Sequence, residues 1–219
     1  MMKVDVIIPA YNEEKRIGKT LSTLNGEDWV NNILVVDDGS IDRTFQIAQG
    51  LTDQVLKLPK NKGKGAAVMS GLSRVSGEWI MLLDADLGSS VKEAKKLMEP
   101  VQSGKADLAI AALPEQSKKG FGLVKKRAQD IVLRETGVVL ESPLSGQRMF
   151  HKKWIPTILS QQSFGFGLEL QLNLTFLKNG GKIEEVETEM YHRATGKNLR
   201  GFYHRAKQWF ELERTLWNF

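Results

Sequence analysis

The sequence predicts an α/β fold, a mainly parallel central sheet sandwiched by helices. Three observations carry this. Short apolar runs alternate with helical stretches through the first half of the chain, the pattern of right-handed strand–helix–strand units. The run Trp79–Leu83 is apolar without interruption, as a strand covered on both faces must be, and it stops abruptly at the carboxylates of Asp84 and Asp86. The segments after the first two strands, Pro9–Glu14 and Asp37–Ser40, hold the Asn, Asp, Gly and Ser of turns rather than core residues.

Taken in order, Val4–Pro9 reads as the first strand, interrupted only by Asp5. Glu13–Leu24 reads as a helix with Ile17, Leu21 and Leu24 on one stripe. Ile33–Val36 is a second strand, and Asp42–Gly50 a second helix with Ser40 or Asp42 as its cap. Gln54–Leu58 is a short third strand, Gly65–Arg74 a helix, Trp79–Leu83 a strand, Val91–Gln102 a helix and Leu108–Ala111 a strand. The second half changes character. Gly122–Thr136 reads as a long helix, Ser145–Phe150 as a short strand, Phe166–Lys178 as a helix, Lys182–Tyr191 as extended chain and Gly201–Trp217 as an amphipathic terminal helix. Nothing rich in Pro, Gly or Ser separates the halves 1–112 and 113–219, so a single domain is expected.

Composition sets the bounds. With 219 residues, 41% hydrophobic and 26% charged, the chain has the balance of a soluble globular domain. A net charge of +5 suits anionic ligands without singling out nucleic acid, which is not expected as a partner. The absence of cysteine excludes disulfides and thiolate zinc sites. Val4–Ala10 is too short and polar for a signal peptide, and no apolar stretch nears the ~18 residues of a membrane span. A cytoplasmic location is expected, with any membrane contact peripheral.

The candidate chemistry lies at strand ends, where open α/β sheets bind ligands. Asp84 and Asp86 offer hard oxygen ligands for Mg²⁺ or Mn²⁺, whose other positions would take phosphate oxygens. Alternatively they form a solvated turn. Tyr11 would stack on a base, and Glu13 or Asp38 would accept from base N–H groups; Asn12 and Ser40 read equally as helix caps. Asn61–Ala67 combines glycines, lysines and a helix start, the makings of an anion cradle, though it is neither a Walker loop nor a dinucleotide fingerprint.

Pro9-Ala10-Tyr11-Asn12-Glu13-Glu14, Asp37-Asp38-Gly39-Ser40 with Asp42 and Thr44, Asn61 through Gly65, and Asp84-Ala85-Asp86-Leu87 stand in the order and spacing of a known family. The chain resembles the family 2 glycosyltransferases of GT-A fold, and among them the dolichyl- or polyprenyl-phosphate sugar synthases. The resemblance covers the first half well and the second loosely. It implies a hexosyltransferase that moves one sugar from a UDP- or GDP-sugar, with Mg²⁺ or Mn²⁺, to a lipid phosphate. Residues 1–112 would be the nucleotide-sugar half. By motif, Pro9, Ala10, Tyr11 and Glu13 would cradle the nucleoside, Asp38 the base, and Lys64 the base or phosphates. Asp84, Ala85 and Asp86 would bracket the metal and ribose, the metal neutralising charge on the departing pyrophosphate.

In the second half, Ser145-Gly146-Gln147-Arg148-Met149-Phe150 is similar to the family's acceptor-side segment. Arg148 would pair with an anionic acceptor, or else form a strand-edge ion pair. Gly165–Glu169 resembles the start of an acceptor-side helix, with Glu169 as base or acceptor-orienting group, or simply as a helix N-terminal acid. The Glu-Asp base pair of many members is absent; an anionic acceptor, already a nucleophile, would need none. The resemblance makes His192 a third metal ligand and Arg193 and Lys197 a lid over the diphosphate. The Gln-x-x-Arg-Trp motif of processive synthases is absent, so single transfer is expected. The segment Phe202–Phe210 suits an anionic membrane, the core or a homodimer. Glycosyltransfer to a small phosphorylated acid, which would retain configuration where the family inverts, and a non-catalytic nucleotide-sugar-binding relative are the alternatives. A nucleotidyltransferase would want a Gly-rich, Arg-containing loop where Pro9–Glu14 stands.

Overall fold

In the computed structural model, which describes residues 2–114, 122–160 and 167–191, seven strands form one sheet. They are β1 (Val4–Ala10), β2 (Val30–Asp37), β3 (Gln54–Lys57), β4 (Trp79–Leu82), β5 (Leu108–Ala112), β6 (Arg148–His151) and β7 (Ile183–Glu187), in the order β3-β2-β1-β4-β6-β5-β7. All pairings are parallel except those of β6, which runs antiparallel to β4 and β5. The helices are α1 (Ile17–Leu24), α2 (Thr44–Gln49), α3 (Lys64–Leu72), α4 (Met98–Gln102), α5 (Gly122–Thr136), α6 (Ile155–Leu159) and α7 (Leu168–Lys178).

Both faces of the sheet are covered. Val4, Val6 and Ile8 of β1 pack with Ile17, Leu21 and Leu24 of α1, while Ile7 packs in a second core with α3, α5 and α7. Period-two alternation along β1 therefore feeds two cores, which explains why the strand is apolar on both sides. Asp5 is the exception. Its carboxylate is buried at the start of β1, away from the carboxyl edge, and accepts from Asn31 Nδ2 (2.8 Å), Asn32 Nδ2 (3.0 Å) and Gly77 N (2.8 Å). Helix α7 is buried from Leu170 through Phe176, so it runs through the core rather than along the surface.

Several expected boundaries move. Glu13–Arg16 is a turn, and α1 begins at Ile17, because Asn12 adopts a left-handed φ of 56° and residues 12–14 bond the loop after β2 before the helix starts. The stretch expected as the helix Val91–Gln102 begins as a 3₁₀ helix, Gly88–Leu97, and becomes α4 only at Met98. Val91, Ala94 and Leu97 are buried at a spacing of three, which matches three residues per turn. Lys152–Leu159, given no structure in the sequence reading, is a 3₁₀ turn followed by α6. The start of the expected helix at Phe166 and the terminal helix Gly201–Trp217 lie outside the described residues. Among the described residues, no helix is long and apolar enough to cross a membrane.

The antiparallel strand decides where the second half contributes. Leu82, at the carboxyl end of β4, pairs with Arg148, the first residue of β6. Residues before β6, not after it, therefore meet the carboxyl edge of the parallel strands, and the Pro143–Gln147 loop arrives beside Asp84.

Candidate active site

Three first-half loops converge at that edge and brace one another. Asp38 N donates to Ala10 O (2.8 Å), so the loops after β1 and β2 leave the sheet together. Asn12 N donates to Ser40 Oγ (2.9 Å), and Ile41 N to Asn12 Oδ1 (3.0 Å). Glu13 N donates to Thr44 Oγ1 (2.7 Å), and Glu14 N to Asp42 Oδ2 (3.2 Å). Asn12 and Ser40, which read as helix caps, thus brace each other's loops, while Asp42 also accepts from Thr44 N (2.9 Å) at the start of α2. Tyr11 stands 44% exposed beside them.

Asp38 is 2% exposed and acts as a loop anchor: its oxygens accept from Lys62 N and Gly63 N, both at 2.8 Å. Burial pushes its carboxyl above the ordinary range despite those two bonds. Each oxygen keeps a second lone pair, and the base contact expected of Asp38 would have to use one of these. Gly39 (φ 72°) follows for a steric reason, since a Cβ there would lie 2.6 Å from the Lys60 backbone. The anchored loop delivers Lys64 as the first residue of α3.

Lys64 is the centre of the site. Its Nζ lies 2.6 Å from Asp84 Oδ1 and 2.8 Å from Glu169 Oε1. Burial disfavours the ammonium, but the two carboxylates outweigh it and hold its pKa above the usual lysine value. Asp84 Oδ2 also accepts from Gln147 Nε2 at 2.8 Å, and Gln147 Oε1 accepts from Ser145 Oγ at 3.0 Å. Gly146 closes the floor: a Cβ there would fall 2.6 Å from both Asp84 Oδ2 and Lys64 Nζ. Pro9, Lys64, Asp84, Gly146, Arg148 and Glu169 line one cleft.

Arg148 lies at the floor of this cleft. It is 0% exposed, and three of its five N–H groups bond inside the protein: Nε donates to Ser145 O (2.8 Å), one terminal nitrogen to Asn173 Oδ1 (2.5 Å) and the other to Pro143 O (3.0 Å). Asn173 Nδ2 donates to the same Pro143 carbonyl at 2.9 Å. Burial pulls Arg148 down to about 10, with Glu169, Glu185 and Asp84 opposing. In this structure the guanidinium faces the Pro143–Gln147 loop and α7. Arg148 shapes the loop that sets Gly146 and Gln147 against Asp84.

Asp84, Ala85 and Asp86 form the turn after β4. Glu13 lies in the same field: burial raises its pKa, Asp86 and Asp84 raise it further, and its 3.0 Å ion pair with Arg16 works against them. The mouth is thus an acidic cluster with a lysine ammonium already standing on one carboxylate. Among the described residues no three metal-binding side chains converge on one point. Two carboxylates with positions left for phosphate oxygens suit Mg²⁺ or Mn²⁺, which are rarely caged by protein alone. His192, Arg193 and Lys197 lie outside the described residues. The sequence reading missed Asn173, Thr20 and Ser90, buried polar residues bonded to Arg148, to the backbone at Ala85 and Gly88, and to the Leu87 carbonyl respectively. Their sole signal was a polar residue on a buried helical face.

The fold and the order of its motif loops define a GT-A glycosyltransferase. The chain belongs to glycosyl transferase family 2, whose model matches residues 5–166. It is 30% identical over 211 residues to an uncharacterized protein of Methanocaldococcus jannaschii, covering 90% of this chain and 86% of that one. It is 38% identical over 117 residues to a dolichol-phosphate mannosyltransferase of Pyrococcus furiosus, covering 51% of this chain but only 33% of that enzyme's length. Among solved structures it is similar to glucosyl-3-phosphoglycerate synthase of Mycobacterium tuberculosis in complex with Mn²⁺, UDP-glucose and phosphoglyceric acid. The TM-score there is 0.73 at 26% identity, covering 89% of this chain and 73% of that one.

Proposed function

We propose that this protein transfers one sugar from a UDP- or GDP-sugar to an anionic acceptor, a polyprenyl phosphate, with Mg²⁺ or Mn²⁺ at Asp84 and Asp86. The observation that carries this reading is Lys64 between Asp84 and Glu169: one cation joins the donor strand to the acceptor-side helix. The divalent ion would supply Lewis-acid stabilisation of the leaving diphosphate. Pro9, Ala10, Tyr11 and Glu13 border the nucleoside position, with Asp38 behind them. Lys64 is poised to exchange its carboxylate contacts for phosphate oxygens. Glu169, at the first turn of α7, orients the acceptor, and Gly146 and Gln147 form the wall between the two substrates.

His192 follows Tyr191, whose N–H donates to Ser90 Oγ at 3.3 Å, four residues beyond Asp86. That link supports His192 as a further metal ligand, with Arg193 and Lys197 closing over the diphosphate. The segment Gly201–Trp217 would supply peripheral membrane contact, or pairing of two copies.

A second reading rests on the similarity to glucosyl-3-phosphoglycerate synthase: the acceptor is a small phosphorylated acid. One experiment separates the two. The protein is incubated with radiolabelled UDP- and GDP-sugars and Mn²⁺, with either a polyprenyl phosphate or 3-phosphoglycerate. Label entering the organic phase supports the lipid acceptor, and label in a soluble anionic product supports the acid. Neither product from any donor would overturn the transferase reading in favour of nucleotide-sugar binding without turnover.

A further inference from the structure

Helix α1 turns an apolar face inward through Ile17, Leu21 and Leu24, yet Thr20, fully buried, lies on that face. A buried hydroxyl is costly unless it is bonded. Thr20 Oγ1 is bonded twice: it donates to Ala85 O at 2.8 Å and accepts from Gly88 N at 2.9 Å. These partners flank Asp86 on both sides, and the turn between them closes at Gly88 with φ 55°. A second buried hydroxyl repeats the arrangement. Ser90 Oγ donates to Leu87 O at 2.7 Å and accepts from Tyr191 N at 3.3 Å. Met190, fully buried in the same core as α1, holds that end of the chain down.

Each hydroxyl therefore donates to a carbonyl of the Asp86 turn. Thr20 closes the turn on itself, and Ser90 ties it to the last residue before His192. We propose that Thr20 and Ser90 are positioning residues. They hold the Asp86 carboxylate in a fixed register with the sheet edge and with Tyr191, so that the divalent cation meets a prearranged oxygen ligand. Neither side chain touches the cation; both act through the backbone that carries its ligands, as outer-shell groups do in metal sites. The inference rests on the donor-site reading above.

The test is Mn²⁺ binding, followed by the paramagnetic signal of free Mn²⁺, to the 219-residue chain saturated with UDP and separately with GDP. Wild type is compared with Thr20→Val, Thr20→Ser and Ser90→Ala, with circular dichroism confirming the fold of each. Thr20→Val and Ser90→Ala are expected to weaken Mn²⁺ about 10-fold, the usual scale for an outer-shell group. Thr20→Ser, which keeps the hydroxyl, should stay near wild type, and nucleotide binding in chelator should be unchanged throughout. Thr20→Val binding Mn²⁺ as tightly as wild type overturns the inference alone, as does an equal loss in Thr20→Ser. Should Thr20→Val fail to fold, Ser90→Ala decides by the same criterion from a separate element. Wild type that takes up no Mn²⁺ with either nucleotide overturns the donor-site reading and this inference with it.

Discussion

Lys64 and Glu169, 105 residues apart in the chain, meet in a 2.8 Å ion pair whose cation also holds Asp84 at 2.6 Å. The pairing closes the cleft between the two halves of the chain with a group suited to receive phosphate charge. Lys64→Met keeps most of the stem and removes the charge. Steady-state kinetics should show kcat/KM lowered by about 100-fold, the scale of losing one group aimed at developing charge. A wild-type rate would remove Lys64 from the mechanism.

The same bridge has a pH signature. Unfolded, Lys64 titrates near 10.5, whereas folded its pKa is raised because the two carboxylates outweigh burial. A raised folded pKa means that the stabilisation is complete below the unfolded value and is lost as pH climbs through the folded one. The stability difference between wild type and Lys64→Met, from chemical unfolding, should stay level from about pH 7 to about pH 10 and shrink only above that. Shrinkage near neutrality would show that the bridge is not formed.

Asp86→Ala should abolish the metal-dependent part of donor binding and leave the metal-independent part. Calorimetry with UDP- and GDP-sugars, in Mn²⁺ and in chelator, reads both. Undiminished affinity in Mn²⁺ would count against the metal assignment.

Gly146→Ala places a methyl 2.6 Å from Asp84 Oδ2 and Lys64 Nζ. The lysine end can swing away, but Asp84 is also held by Gln147. The strain should cost about 1–3 kcal/mol in urea unfolding and lower activity. A variant as stable and as active as wild type would mean that the floor is looser than the geometry shows.

Arg148→Ala leaves the Ser145 carbonyl and the Asn173 amide oxygen without their donor, while the Pro143 carbonyl keeps Asn173 Nδ2. Destabilisation of roughly 3 kcal/mol or more is expected, since each buried orphan acceptor carries its own penalty. Arg148→Lys should rescue little, because a compact ammonium cannot span the fork. Normal stability with a selective loss of acceptor affinity would favour a direct anion contact instead.

Local sequence dictates the alternating architecture and the motif loops at the carboxyl edge. Continuous apolar runs have to be strands covered on both faces, and strand–helix alternation admits essentially one handedness of crossover. Asp84, Asp86, Lys64, Asp38 and Glu169 were legible as candidates because each stands at a strand end or a helix start. Their partners depend on long-range packing. Strand β6 inserts antiparallel, a pairing that depends on its neighbours rather than on local sequence, and this brings Gly146 and Gln147 to Asp84. The same insertion turns Arg148 inward, where Asn173 and two carbonyls receive it; a charged residue at a strand start reads identically whether it faces solvent or core. Thr20 and Ser90 were illegible for a related reason. A hydroxyl on an apolar face shows its purpose only when the turn it holds, 65 residues away for Thr20, has folded against it.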